Sequence, residues 1–124
     1  MTRVIIDGND GTGKTTIVAM LRKLGHDAHD RGLPTKLVDT PGLPVPEEEI
    51  YIILDAPVAV SRARLAKAGK DLNKEHHTVE SLIVYRRRFR DVAAQLPRCH
   101  LIDASGTPEG VLARCLAIIE QELG

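Results

Sequence analysis

The stretch Gly8-Asn9-Asp10-Gly11-Thr12-Gly13-Lys14-Thr15-Thr16 constrains this chain more than any other. It satisfies G-x-x-x-x-G-K-[ST] and directly follows the apolar run Val4-Ile5-Ile6, so it reads as strand, glycine loop, helix. Glycines let successive backbone N–H groups converge on phosphate oxygens. The helix beginning near Lys14 adds the positive end of its dipole at the same point. In such a loop Lys14 is expected to reach the terminal phosphates and Thr15 to ligate Mg²⁺.

The rest of the chain has room for one domain built around that loop. At 124 residues a single unit, 1–124, is expected. Lys and Arg balance Asp and Glu at 17 each, which gives no electrostatic signal for nucleic acid or an anionic membrane. No apolar run reaches the ~20 residues of a membrane span. The N-terminus enters a strand almost at once, leaving no signal peptide, and a cytoplasmic setting is expected. Cys99 and Cys115 read as small buried hydrophobes with free thiols. The three aromatics, Tyr51, Tyr85 and Phe89, are too few for a platform that stacks single-stranded bases.

Strand and helix patterns alternate. Arg3–Ile6 reads as a short buried strand ending at Asp7. The first helix carries Ile17, Met20, Leu21 and Leu24 at helical spacing. Two stops are open to it: Gly25, or Gly32 after continuing over 26–31, with Pro34 just beyond. Thr35–Asp39 reads as the second strand, Thr40-Pro41-Gly42 as a turn and Leu43–Glu49 as a connector. Ile50–Asp55 is the clearest buried strand, and Pro57 starts a helix running to about Ala68. Gly69–Thr78 is a polar, basic loop. A helix over Val79–Leu96 halts at Pro97, and Cys99–Asp103 is the fourth strand. Thr107 caps the last helix with Pro108 in its first position. Val111, Leu112, Cys115, Ile118 and Ile119 lie on its apolar face. Together these predict a three-layer α/β fold with a small, mostly parallel sheet of about four strands.

The segment Asp7–Thr16 resembles the thymidylate kinase loop, E-G-x-D-G-x-G-K-T-T, and Asp10 is its most family-specific residue. The resemblance continues in Pro41-Gly42, in Leu54-Asp55 followed by an arginine-bearing helix, in the basic loop after Gly69, and in Ile102-Asp103-Ala104. It implies a P-loop phosphotransferase that moves the γ-phosphate of ATP, with Mg²⁺, to a nucleotide-like acceptor. Under it, Lys14 and Thr15 hold the donor phosphates and the metal, and Asp10 matches the acid that contacts the acceptor's sugar. Asp7 stands where the family has Glu. Arg64 falls on an arginine leading into the lid, with Arg62 as the alternative. The lid is Gly69–Thr78, and Lys70 and Lys74 supply its charge because Gly11 and Thr12 carry none. Residues 104–107 resemble the region that holds adenine.

Family members carry a further strand, ending in Asp-Arg-Tyr or Asp-Arg-Phe, and the helices of the nucleoside pocket. Here Leu43–Glu49 replaces that region. The missing strand lies between the second and the first, so the second should pair directly with the first, in the order 2-1-3-4. The acceptor pocket is then reduced or built differently. A metal-associated carboxylate is still needed. Asp39, at the end of the expected second strand, is the candidate by the rule that sites lie at strand C-termini, and Asp55 is second.

Other readings compete. Asp39-Thr40-Pro41-Gly42 fits the D-x-x-G of a GTPase, but Asn73-Lys74-Glu75-His76 is an incomplete guanine motif. Arg86-Arg87-Arg88-Phe89-Arg90 reads as a solvated helix face; the alternatives are a phosphate contact beside the lid or a polynucleotide contact. A kinase of nucleic-acid hydroxyls and an ATP-binding module without transfer are therefore the alternatives to a small-molecule kinase. His26, His29, His76, His77 and His100 read as surface residues, since no partner completes a tetrahedral metal set. A bare sheet edge in so small a domain favours self-association.

Overall fold

The computed structural model describes residues 2–34, 39, 40 and 49–124. Its elements run β1 (Arg3–Gly8), α1 (Lys14–Lys23), β2 (Asp27–Asp30), β3 (Glu49–Asp55), α2 (Val58–Lys67), α3 (Val79–Gln95), β4 (Cys99–Asp103) and α4 (Pro108–Leu123). The four strands form one parallel sheet in the order β2-β1-β3-β4, the order expected.

The apolar runs at the centre of the sheet have a physical cause. A parallel strand covered on both faces needs an apolar residue at every position. In β3, Ile50, Ile52 and Leu54 pack into one core with Ile17, Leu21, Val111, Cys115 and Ile119 of α1 and α4. Tyr51 and Ile53 pack into a second with Val92 and Leu96, of and just after α3. The two helical layers thus sandwich the sheet, with α2 against α3. Burial pushes both cysteine thiols up to about 12, so they behave as core hydrophobes rather than nucleophiles.

Helix boundaries follow their punctuation. Thr107 accepts from the Gly110 amide at 3.1 Å and Thr78 from the Ser81 amide at 3.2 Å, each satisfying an orphan donor of the first turn. Pro57 stands immediately before α2, as its fixed φ favours.

The second strand is not where the apolar pattern suggested. Helix α1 takes the earlier of its two stops: Gly25 adopts φ +90 and its amide bonds the Arg22 carbonyl. The chain then pairs Asp27–Asp30 alongside Arg3–Ile6. This is an edge strand with one buried residue, Ala28, and its backbone ladder rather than apolar content holds it. Of the segment expected as a strand, Thr35–Asp39, residues 35–38 lie outside the described residues. Asp39 itself is helical and exposed. The expected turn and connector over 41–48 also lie outside the described residues.

Candidate active site

The glycine loop fills the bend between β1 and α1, and close packing makes two of its glycines obligatory. Gly8 sits at φ +138, where a Cβ would lie 2.4 Å from the Leu54 carbonyl oxygen of β3. Gly11 sits at φ +83, where a Cβ would lie 2.5 Å from the Ser61 carbonyl oxygen of α2. Asn9 is buried and donates to the Leu82 carbonyl at 2.9 Å, which ties the loop to α3. Thr12 donates its hydroxyl proton back to the Asn9 carbonyl at 2.6 Å. Gly13, at φ +94, is the N-cap of α1, so the helix's free amides open onto the loop's hollow.

Lys14 lies folded into this hollow. Its Nζ donates to the Gly8 carbonyl at 2.6 Å and approaches Asp10 Oδ1 at 3.4 Å. Burial lowers its proton affinity, and the charges of Asp10 and Asp7 work against that. Burial also acts on Asp10, but the Lys14 charge and hydrogen bonds from His77 and Lys14 outweigh it and hold the carboxyl below its ordinary value. At the end of β1, burial dominates and raises Asp7, although the Gly8 amide donates to it at 2.8 Å.

Asp10 is the hub of the site. Its Oδ2 lies 3.0 Å from His77 Nε2, and its Oδ1 lies 3.9 Å from an Arg31 terminal nitrogen. His77, expected on the surface, is a buried residue of the 69–78 segment. Its Nδ1 lies 3.0 Å from the Asp71 carbonyl oxygen, and Arg62 donates to the His77 and Leu72 carbonyls at 2.8 and 3.1 Å. Arg62 therefore braces the segment 69–78. Arg64 lies across the loop instead: it reaches the Gly11 and Thr12 carbonyls at 3.4 and 3.5 Å and the Gly106 carbonyl at 3.0 Å.

Two cavities meet at this hub. The larger, about 630 Å³, is lined by the loop from Asp10 to Ile17, by Arg64, Lys70, Lys74 and His77, and by Ala104, Gly106 and Pro108. The structure thus brings Lys14, Thr15, Arg64, Lys70, Lys74 and part of the 104–107 segment to one hollow. The smaller, about 390 Å³, is lined by Asp7, Gly8, Asn9, His76, Tyr85 and Phe89. Asp10, Lys14 and Arg31 line both.

The two carboxylates considered as metal ligands are elsewhere engaged. Asp39 does not end the strand beside β1, so the geometric reason for choosing it falls. Both its oxygens take Arg88 at 2.8 Å on the surface, and it lines neither cavity. Asp55 is held by Arg86 at 2.8 and 3.1 Å and by Arg90 at 3.0 Å. Those arginines therefore anchor α3 to the end of β3, and Arg88 pairs with Asp39. Among the described residues no cluster of three His, Cys, Asp or Glu could hold a metal by itself. Thr15 beside the phosphate hollow fits a Mg²⁺ that takes most of its ligands from phosphates and water.

Arg31 joins the site without a motif of its own in the sequence. It directly follows β2, whose end lies beside the loop because β2 pairs with β1. Arg31 adopts φ 62, and its amide donates to the Ile6 carbonyl at 2.8 Å, which pins the turn beside the loop.

Comparison with known proteins agrees with this geometry at the level of fold. No family model matches the chain. It is 31% identical over 94 residues to a thymidylate kinase of Xylella fastidiosa, covering 74% of this chain and 43% of that protein. It is 30% identical over 113 residues to the bifunctional cordycepin biosynthesis cluster protein 3 of Cordyceps militaris, covering 69% of this chain and 13% of that protein. The chain thus spans less than half the length of either relative. The crystal structure of an unliganded sugar kinase from Janibacter sp. HTCC2649 superposes with a TM-score of 0.51 at 17% identity, covering 97% of this chain and 95% of that one. Loop, sheet order and this likeness define a P-loop α/β fold. No helix among the described residues is long and apolar enough to cross a membrane.

Proposed function

We propose that the chain is a P-loop phosphotransferase that moves the γ-phosphate of ATP to a nucleotide-like acceptor. The observation that carries this reading is the meeting of two cavities at Asp10, Lys14 and Arg31. A nucleotide-binding module needs one hollow. Transfer needs two that adjoin at the reacting phosphate, because positioning and charge neutralisation supply most of its rate. The partial likeness to a thymidylate kinase supports the same acceptor class.

In this reading the donor polyphosphate lies over the amides between Gly11 and Thr16, at the positive end of α1. Lys14 exchanges the Gly8 carbonyl for the donor's terminal phosphates, a transfer its existing position makes short. Bound Mg²⁺ would neutralise charge between donor phosphates, and Thr15 would hold it. Arg64 flanks the nucleoside end near Gly106, and Lys70, Lys74 and His77 surround the transferred group from the lid. Arg31 offers a guanidinium fork to the accepting group, which the lid lysines cannot do. An acceptor oxygen attacks the γ-phosphorus, the bond to the β–γ bridging oxygen breaks, and ADP leaves.

A coupled ATPase assay with each common nucleoside monophosphate tests this. The expected result is ADP release that depends on at least one acceptor. Equal ATP consumption with and without every acceptor would instead make the chain a hydrolytic or binding module.

A further inference from the structure

We infer that His77 is a positioning residue that works as an imidazolium: only while both ring nitrogens carry protons does it hold Asp10 and fasten the segment 69–78 to the glycine loop. The tie itself needs no ligand. Its bearing on turnover rests on the phosphotransfer reading and deepens it with a control by pH.

Both partners of the ring are acceptors. Nδ1 lies 3.0 Å from the Asp71 carbonyl oxygen, which has no proton to give. Nε2 lies 3.0 Å from Asp10 Oδ2. Burial works to raise the Asp10 carboxyl, but the Lys14 charge and hydrogen bonds from His77 and Lys14 hold it below its ordinary value, so at neutral pH it too only accepts. A neutral ring has one N–H and one lone pair, so either tautomer sets a lone pair against an oxygen. The His77 side chain keeps only 8% of its surface exposed, which leaves little room for water to mend that contact. The backbone that presents the ring is fixed as well. Arg62 of α2 donates to the His77 and Leu72 carbonyls, and the His77 amide donates to the Lys74 carbonyl at 2.9 Å.

The surrounding charges decide when the ring keeps its second proton. Asp10 favours that proton. Lys14 of α1 and Arg31 after β2 oppose it, at 3.4 and 3.9 Å from Asp10 Oδ1, and Lys70 and Lys74 line the same cavity. Asp10 touches the ring, whereas Lys14 and Arg31 act across its far oxygen, so the attraction prevails. When Lys14 turns to donor phosphates, His77 is left as the cation in contact with Asp10. Ring protonation and closure of 69–78 therefore favour one another. The tie is fullest on the acid side of the range in which histidines titrate and is released as pH rises through it.

The test is amide exchange of the full chain without nucleotide, corrected for the intrinsic effect of pH on exchange. It is read from about pH 5.5 to about pH 8.5, which spans the histidine range. Protection over 69–78 should fall about tenfold or more as pH rises, as the loss of a charge-assisted hydrogen bond implies. His77→Gln, which cannot titrate, should show protection that does not vary with pH. His76→Gln, at the exposed neighbouring position, should keep the slope of the unmodified chain. Circular dichroism checks that both variants are folded. Nitrogen-15 spectra of the His77 ring in the unmodified chain give a second readout that needs no variant: both nitrogens should be protonated at the acid end, and one should lose its proton where protection falls. A ring that is neutral throughout, flat protection in the unmodified chain, or the same slope in a folded His77→Gln would overturn the inference. Those results leave the phosphotransfer reading standing, since no nucleotide is present. Failure of the unmodified chain to bind an ATP analogue would remove that reading and leave the tie intact.

Discussion

His77 and Asp10 tie the segment 69–78 to the glycine loop: Nε2 of His77 lies 3.0 Å from Oδ2 of Asp10, across 67 positions of sequence. The other ring nitrogen faces the Asp71 carbonyl oxygen at 3.0 Å. A protonated ring can donate to both oxygens, and a neutral ring to one. Removing the ring in His77→Ala frees both acceptors and unties 69–78 from the loop. Turnover is expected to fall roughly tenfold or more, in line with the ~1.5–3 kcal/mol of a charge-assisted hydrogen bond. Amide exchange over 69–78 should quicken in the same variant. Unchanged exchange there would mean that His77 does not hold the lid.

The loop glycines should differ sharply in tolerance. Gly8→Ala drives a methyl to within 2.4 Å of a β3 carbonyl oxygen, so the sheet or the loop must shift. Gly13 has a similar left-handed φ of +94 but nothing within 4 Å of an added Cβ. Gly13→Ala should cost only the conformational strain, about 1–2 kcal/mol. Chemical denaturation of the two variants checks this, with Gly8→Ala the more damaged by a clear margin.

Acid should release α3 from the sheet. Burial alone would raise Asp55, but Arg86 and Arg90 override it and hold the carboxyl below the ordinary 3.8. A carboxyl with a depressed folded pKa stabilises fully above its unfolded value and loses that contribution as pH falls through the folded one. The Asp55 contribution is therefore intact above pH 3.8 and declines progressively below it, until pH passes the lowered folded value. Asp55→Asn should cost about 2 kcal/mol at neutral pH, discounted for the partial exposure of both arginines. The difference from the unmodified chain should shrink in denaturation midpoints measured below pH 3.8.

Asp39 provides a test of where the metal is held. Its bond with Arg88 is exposed, so Asp39→Asn should change stability by no more than about 1 kcal/mol. Under the proposal that Thr15 holds the metal, the Mg²⁺ concentration for half-maximal turnover should also be unchanged. A several-fold rise in that concentration would return Asp39 to the metal.

Much of the fold was legible because its signals are local. The run Ile50–Asp55 announces a doubly covered strand, Thr107-Pro108 a helix start, and the glycine loop its own flanking elements. The edge strand Asp27–Asp30 was not legible. Its formation depends on the open backbone edge of β1, and a polar sequence with one buried alanine carries no periodic signal for it. Arg31 was hidden by the same error, since its place follows from that strand. His77 was hidden differently: only the folding of the lid onto Asp10 buries it, and adjacent histidines in a polar loop look solvated. Lys14, Thr15, Arg64, Lys70 and Lys74 could be named from motif spacing and resemblance, and all five line the larger cavity.

The grip of Lys14 on a donor polyphosphate is the central claim, and Lys14→Met tests it most directly. The substitution keeps the aliphatic length and removes the charge. Because burial already disfavours the ammonium, the variant should stay folded, which its thermal melt will show. Titrated with Mg·ATP, Lys14→Met should bind about a hundredfold more weakly, matching the loss of ~3 kcal/mol of charged hydrogen bonding. A folded Lys14→Met with undiminished affinity for Mg·ATP would contradict phosphate binding at this loop.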